Sequence, residues 1–452
     1  MRDRLRQFFV AARKSNLIGG SGFLLTDRVV RIGLGLAINV VMARTLGPAN
    51  FGLFAYAVTL AALFLPLSTL GLQRIVVREL ARGNASEGSM LGSMSVARLA
   101  GGFLGCALAV LVAAVTAETN RGLQTGLVAL VAAGNLLQAF DVIDWSFQAK
   151  GDFKRGTAAK FGAYIVMAGI KLIILFAGAG LISLAIATMA EMLLSAVFQA
   201  VAWWRADDRQ SGWQFDPTLT VAMLRLSAPL LAGEIAGWVF QKADMLILQR
   251  FASESEVGYY AIAQRLAQVG FFLPVLAVQV FSPMVAQVQT EAEALALVQK
   301  VMNGLVLVAY ALSLCLMLSS GFLVCGLFGG AFAPAAGLLV YLAWSNVFVF
   351  MGCAHTLYLV NRDAQKLSLR LAWITAVASI GLNIVLVPWL HALGAVLANL
   401  GAYAMTTIFG VVLFRTSRPL LAVNLWSLAS PITLFRSGPN PPEKPAEPSS
   451  GA

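Results

Sequence analysis

Apolar residues run along this chain in blocks of about twenty, broken by short polar links, instead of recurring at the three- and four-residue spacing of a half-buried helix. The blocks predict twelve membrane-crossing helices, at roughly 22–43, 51–72, 91–115, 123–147, 158–178, 181–204, 221–249, 257–285, 301–323, 336–359, 369–389 and 393–414. Two of the links resemble each other. MARTLGPANFGLFAY (42–56) and LQRFASESEVGYYAI (248–262) align at an offset of 206, which puts Arg44 on Arg250, Gly52 on Gly258 and Ala55 on Ala261. A weaker echo pairs ISLAIATMAEM (182–192) with LGAVLANLGAY (393–403) at an offset of 211. A repeat at half the chain length predicts two six-helix lobes, 15–204 and 221–415, joined by the polar linker 205–220. Many membrane transporters are built this way.

Composition agrees with that reading. Hydrophobic residues make up 59% of the chain, charged residues 12%, and the mean hydropathy is +0.79. Soluble domains carry roughly a quarter charged residues, so the solvent for most of this surface is lipid. The formal charge of +11 does not point to nucleic acid. With the N-terminus inside and the spans alternating, the outer links hold only Arg44, Arg121 and Arg250. The spans hold Arg28, Arg31, Arg98, Lys171, Lys242 and Arg265, and every other Lys and Arg falls on the inner side. That is the positive-inside distribution, with both termini cytoplasmic.

The ends and small residues add detail. Residues 1–14 mix cations with Leu5, Phe8, Phe9 and Val10 and read as an interfacial amphipathic helix, not a signal peptide. Residues 416–452 form a cytoplasmic tail, Pro-rich and disordered from 437 onward. The four cysteines lack ligand spacing and read as buried apolar residues, with no metal site. The sequon at Asn84 lies on the inner side and is accidental. Pro66 and Pro229 mark interruptions in their helices.

Several stretches together resemble a known family: ARTLGPANFGLFAYA (43–57), LGLQRIVVREL (70–80), SAPLLAGEIAGWVFQKADMLILQRF (227–251), VGYYAIAQRLAQV (257–269), LFGGAFAPAA (327–336) and NIVLVPWLHALGAVLANLGAY (383–403). They are similar to the polysaccharide transporters, the O-antigen-type flippases, of the multidrug/oligosaccharidyl-lipid/polysaccharide exporter superfamily. The resemblance covers all twelve spans. It implies an all-α integral membrane protein whose two pseudo-symmetric lobes form a V around a cation-lined cavity. It further implies alternating access that moves an undecaprenyl-diphosphate-linked oligosaccharide to the periplasmic leaflet of the bacterial inner membrane. The implied partners are that lipid-linked glycan, membrane lipids and other polysaccharide-assembly proteins. No cofactor is implied beyond a coupling proton or sodium ion.

A charge inside a span is costly and tends to face a partner or a wet cavity, so the in-span charges are the site candidates. Lys242 and Arg265 lie about 17 Å below the turn near residue 253 at the helical rise, with Asp244 slightly higher. Either Asp244 and Arg265 pair to brace two helices, or the cations form a wall facing a diphosphate. Arg28 and Arg31 share a face, with Asp27 four residues before Arg31, and are further candidates for lining the cavity. Arg44 and Arg250 are either interfacial anchors or gate residues. Arg98 matches Asp141 and Asp144 in depth, as Lys171 matches Glu191, and either set is a structural pair or an ion relay. Glu234, alone in the inner half of its span, is the strongest ion-coupling carboxylate.

Three other functions compete. A multidrug extrusion pump or a cell-wall-precursor flippase would share the superfamily, but a cationic lumen disfavours organic cations and the cell-wall flippases usually carry two more helices. A membrane glycosyltransferase, polymerase or ligase would need outer-face carboxylates or a sizeable loop. The outer links are short, with Glu118, Glu254 and Glu256 the main acids, and His355 and His391 read as structural. A scaffold would leave the in-span cations unexplained. The expectation is a non-enzymatic, monomeric transporter.

Overall fold

The computed structural model describes residues 17–83, 86–116, 121–206, 212–288, 290–361, 365–414 and 419–428, and the described elements are all helical. The first lobe comprises α1 (Leu17–Leu63), α2 (Leu65–Thr69), α3 (Gln73–Ala81), α4 (Glu87–Thr116), α5 (Arg121–Leu137), α6 (Val142–Ala149), α7 (Phe153–Phe176) and α8 (Leu181–Trp204). The second comprises α9 (Pro217–Phe251), α10 (Glu254–Ala267), α11 (Phe272–Ala286), α12 (Glu291–Phe328), α13 (Pro334–Leu342), α14 (Ser345–Asn361), α15 (Gln365–Ala404) and α16 (Gly410–Leu413), followed by α17 (Pro419–Leu428).

Ten continuous helical stretches are long and apolar enough to cross a membrane. The count differs from twelve because the first two predicted spans form one stretch of 55 residues, and the last two form one of 48. Each bends at a non-helical residue: Gly47 (φ 72°) before Pro48, and His391 (φ 50°) after Pro388. Straight, the shorter would measure roughly 70 Å, more than twice a ~30 Å hydrocarbon core. Each is therefore long enough for two crossings joined by a turn. Phe176, Phe322 and Trp389 stand 76%, 82% and 84% exposed on the outside, as a lipid-facing surface requires.

The repeat reappears in the helix breaks. The chain leaves α-helical geometry at Phe64, between α1 and α2, and again in the 3-10 turn Gln268–Phe271 between α10 and α11. The 206-residue offset carries Phe64 onto Gly270. It also carries Gln138, the start of the 3-10 turn between α5 and α6, onto Trp344, in the turn between α13 and α14. In a bilayer the carbonyls freed at such breaks need internal donors. Asn135 Nδ2 donates to the Ala61 carbonyl (3.0 Å) in the first lobe. In the second, Ser313 Oγ and Asn346 Nδ2 converge on the Ala343 carbonyl at 2.6 and 2.8 Å.

The lobes meet through α1 against α9, α10 and α12, and through α2, α3 and α4 against α9. Gly52 and Gly258, the pair matched by the repeat, lie where α1 crosses α10. A Cβ on Gly52 would overlap the carbonyl oxygen of Glu254, and a Cβ on Gly258 that of Pro48. Pro48 and Glu254 are themselves related by the offset, so the crossing sits on a local two-fold axis. Phe332 packs edge-on against Phe51 (5.9 Å) and Tyr259 (6.1 Å) beside it. Toward the other end, Gly71 (φ 63°) lies so close to α9 that a Cβ would come 2.7 Å from the Leu231 nitrogen.

Residues 212–216 of the linker are extended and dock on α4. The Asp216 amide donates to Ser93 Oγ (2.9 Å) and the Gln214 amide to the Gly88 carbonyl (3.1 Å). Asp216 then caps α9, accepting from the Thr218 hydroxyl (2.6 Å) and the Thr218 and Leu219 amides (2.8 and 3.1 Å). The Thr218 side chain, and then the Leu219 amide, hold its carboxyl below the ordinary range. Helix α9 consequently starts at Pro217, earlier than the predicted 221.

Beyond the twelve apolar blocks, α17 packs into the second lobe. Buried Asn424 hydrogen-bonds His355 Nε2 (2.7 Å) and donates to the Thr407 carbonyl (2.8 Å), while Ser427 Oγ donates to Asn303 Oδ1 (2.7 Å). Its apolar residues supply the packing, with Leu420 and Val423 in the lobe core. The predicted amphipathic helix at 1–14, the disordered segment at 437–452 and Asn84 lie outside the described residues.

Candidate functional site

Between the lobes, α1, α7 and α8 on one side and α9 and α10 on the other enclose a cavity of about 340 Å³. Its second-lobe wall carries Lys242 on α9 and Arg265 on α10. Gln264 and Arg265 lie three and four residues after Ala261 and so share one face of α10, which Gln268 extends into the 3-10 turn that follows. The Lys242 ammonium lies 5.7 Å from the Trp238 ring centre. Among the described residues, no carboxylate comes within ion-pair distance of Lys242 or Arg265. On the facing wall, by contrast, Lys171 is paired with Glu191 at 2.6 Å. The cavity therefore holds two cations without an ion-pair partner among the described residues, both on the second lobe. A Lys or Arg at mid-span costs roughly 2.5–3.5 kcal/mol on insertion scales, so packing alone does not account for them. The repeat does not account for them either, because the positions equivalent to Lys242 and Arg265 are Leu36 and Thr59.

A second cavity, of about 230 Å³, lies within the first lobe and shares Tyr164, Glu191 and Met192 with the first. Here the charges are paired. Arg31 Nε contacts Asp27 Oδ1 at 2.8 Å, and its guanidinium lies 5.0 and 5.7 Å from the ring centres of Tyr164 and Phe161. The Tyr164 hydroxyl donates to the Arg31 carbonyl (3.1 Å). Lys160 Nζ bridges Asp141 (3.0 Å) and Asp144 (2.9 Å). Fully buried Arg98 lies 3.9 Å from Asp141, donates to the Ser68 carbonyl (3.0 Å) and stacks on Trp145 (4.5 Å). Gln199 Nε2 donates to Asp141 (3.0 Å) and Ser195 (3.3 Å).

The predicted site residues thus fall in several places. Lys242, Arg265, Lys171 and Glu191 line the cavity between the lobes. Arg31 and Asp141 line the adjoining pocket, and Asp27 is the partner of Arg31. Asp244 is not paired with Arg265. It is fully buried inside the second lobe and accepts hydrogen bonds from Tyr260, from Gln264 (3.0 Å), from Asn399 (3.3 Å) and from the Met245 amide (2.7 Å). Two residues are about 200° around a helix, so when Lys242 faces the cavity Asp244 faces away from it. Arg28 is exposed and lines neither cavity.

Arg44 and Arg250 lie outside both cavities too. Arg44 donates to the Gly326 and Leu327 carbonyls (2.5 and 2.6 Å), fastening α1 to the C-terminus of α12, and Arg250 is exposed in the last turn of α9. Glu234 is not isolated. It accepts from Thr69 of the other lobe (2.7 Å) in a cleft shared with Arg74. Sequence reasoning missed Lys160, Tyr164 and Gln199. Lys160 was legible in part: Asp152 accepts from the Arg155 amide (3.3 Å) as an N-cap, which starts α7 at Phe153 and places Lys160 two turns inside it.

A family model described as polysaccharide biosynthesis protein matches residues 41–337. No curated protein matches the chain. Among solved structures, the lipid II flippase MurJ in an inward closed conformation superposes with a TM-score of 0.69 at 15% identity, covering 92% of this chain and 94% of that one. An inward-facing multidrug resistance MATE family transporter of the MOP superfamily gives 0.68 at 15% identity over 88% and 95%. An outward-facing MATE structure gives 0.52 at 15% identity over 88% and 96%. At these identities the likeness is one of fold, the V-shaped pair of lobes of that superfamily. The family model covers well over half of the chain, and the protein belongs to the polysaccharide biosynthesis protein family.

Proposed function

We propose that the protein is a flippase that carries an undecaprenyl-diphosphate-linked oligosaccharide from the cytoplasmic to the periplasmic leaflet of the inner membrane. The observation that carries this reading is the wall made by Lys242 and Arg265, two cations without carboxylate partners in a cavity between the lobes. A diphosphate is the part of such a cargo that a bilayer rejects, and cations in a low-dielectric cavity replace its hydration. The lipid tail stays in the bilayer while the head occupies the cavity. No covalent bond changes, so the protein is not an enzyme in this reading. Rocking of the lobes exposes the cavity to each side in turn. The crossing at Gly52 and Gly258 is then the periplasmic gate, closed here, and both termini are cytoplasmic. Glu191, paired with Lys171 on the cavity wall, is the carboxylate placed to couple a proton or sodium ion to that motion.

A pump for organic cations would have to bring its substrate against this wall. A cell-wall-precursor flippase would share the headgroup chemistry and differ only in the glycan. The test is export of surface glycan in cells lacking their own transporter, normalised to protein abundance. Lys242→Gln and Arg265→Gln should each lower export at least about tenfold, the equivalent of one lost charged contact. Arg265→Lys should retain part of it, because charge survives without the bidentate fork. Undiminished export by the doubly neutralised protein would overturn the proposal.

A further inference from the structure

The first-lobe pocket has a different chemistry from the wall opposite. Arg98, Arg31, Lys160 and Lys171 are matched there by Asp27, Asp141, Asp144 and Glu191, so the cluster is neutral where the second-lobe wall is cationic. A group of fixed negative charge gains nothing from it. The pocket instead offers oriented donors and acceptors: the Asp141 carboxylate, the amides of Gln138 and Gln199, and the hydroxyl of Ser195. Gln199 adds a second indication. It is 1% exposed, it spends its Nε2 on Asp141 and Ser195, and its Oε1 has no hydrogen-bond partner among the described residues. A buried acceptor left unmet costs roughly 1–3 kcal/mol, a cost that a hydroxyl donor in the pocket would remove once the Gln199 side chain, which lines that pocket, turns its oxygen toward it. The pocket is also continuous with the cationic cavity, through Tyr164, Glu191 and Met192.

We propose that the first-lobe pocket is a sugar-recognition subsite, which takes the neutral, hydroxyl-rich ring attached directly to the diphosphate. The inference rests on the flippase reading above and deepens it. The cargo then lies across the gap between the lobes, with its diphosphate on Lys242 and Arg265 and its first ring against Asp141, Gln138 and Gln199. At about 230 Å³ the pocket reads the reducing-end ring and not the length of the glycan. A uronic acid at that position would meet Asp141 and Glu191 without a free cation to offset them.

The experiment measures binding of short-chain probes to the purified full-length protein in lipid nanodiscs. The probes are farnesyl diphosphate alone and the same diphosphate linked to glucose, galactose, N-acetylglucosamine or glucuronic acid. At least one neutral-sugar probe should bind about tenfold tighter than bare farnesyl diphosphate, and the glucuronic acid probe should not. Gln199→Leu should remove that advantage while leaving bare-diphosphate affinity within about twofold. Gln138→Leu, at a half-buried position, should do the same and serves if Gln199→Leu folds poorly. Lys242→Gln should weaken all probes together. Equal affinity for bare and neutral-sugar probes would overturn the subsite, as would an equal loss on both in the glutamine variants. Bare-diphosphate binding that ignores Lys242 and Arg265, or is absent, would instead bring down the headgroup reading, and the subsite with it.

Discussion

Replacing Gly52 with alanine should open the end of the molecule where the lobes cross. The added Cβ would overlap the Glu254 carbonyl oxygen and stand 2.9 Å from the Gly258 nitrogen and 3.0 Å from the Glu254 carbonyl carbon. These are all backbone atoms of α10, so no side chain can swing aside and the helices must part. Overpacking of this kind costs roughly 1–3 kcal/mol, and it falls only on the state in which α1 and α10 touch. The population of that state should drop by about 5- to 150-fold relative to the state with the lobes apart. In a helix without this contact, the same change would stabilise by about 0.5–1 kcal/mol, so the sign of the effect discriminates. Gly33→Ala, with nothing within 4 Å of the new Cβ, is the control. Spin labels at the exposed positions Asn50 and Ala331, one on each lobe, report the separation by double electron–electron resonance in nanodiscs. Gly52→Ala and Gly258→Ala should each shift the distribution to longer distances, by similar amounts because the two glycines are related by the two-fold. Distributions identical to those of the unchanged protein and of Gly33→Ala would refute the idea that this crossing holds the end shut.

Removing the Arg44 clasp should act in the same direction but more weakly. Arg44→Ala loses two charge-assisted contacts at an exposed site, so a shift of about fivefold is expected with the same labels, and an unaltered distribution would count against the clasp. Asp244→Asn should destabilise the second lobe by roughly 2–4 kcal/mol, because an amide turns an N–H toward one of the donors Tyr260, Gln264 or Asn399. Thermal unfolding in detergent measures this. Adding Arg265→Gln should not restore the loss, and a restored melting temperature would show that the two charges are coupled after all.

Much of the architecture was legible in the sequence because it is written in periodicity. Spans follow from apolar runs, and the offset of 206 that aligns Gly52 with Gly258 in sequence brings them together in space. Helical rise alone placed Lys242 and Arg265 at one depth, and they line one cavity. Depth is only one coordinate, however. Direction around the helix decides which neighbour a side chain meets, and it removed Asp244 from the site and gave it to Tyr260, Gln264 and Asn399. Arg44 illustrates another limit. Its partners are carbonyls at the end of α12, groups that every helix leaves free and no residue type reveals. Lys160 was misplaced by a helix boundary, since charge counting assigned it to a link when the Asp152 cap had already begun α7. Residues 419–428 are too short an apolar run to register as a span, yet their sequence is apolar and helical, and they add a short helix to the second lobe.

That Lys242 and Arg265 hold the anionic head of a lipid-linked glycan is tested most directly by translocation in reconstituted vesicles. The purified protein is placed in liposomes with a fluorescent undecaprenyl-diphosphate-linked sugar in one leaflet, and its appearance in the other is followed with an impermeant quencher. The unchanged protein should move the diphosphate-linked substrate and leave an uncharged undecaprenyl glycan behind, while Lys242→Gln with Arg265→Gln should fall to the rate of protein-free vesicles. Translocation by the double variant at the unchanged protein's rate, or equal transport of the uncharged analogue, would contradict the role assigned to the two cations.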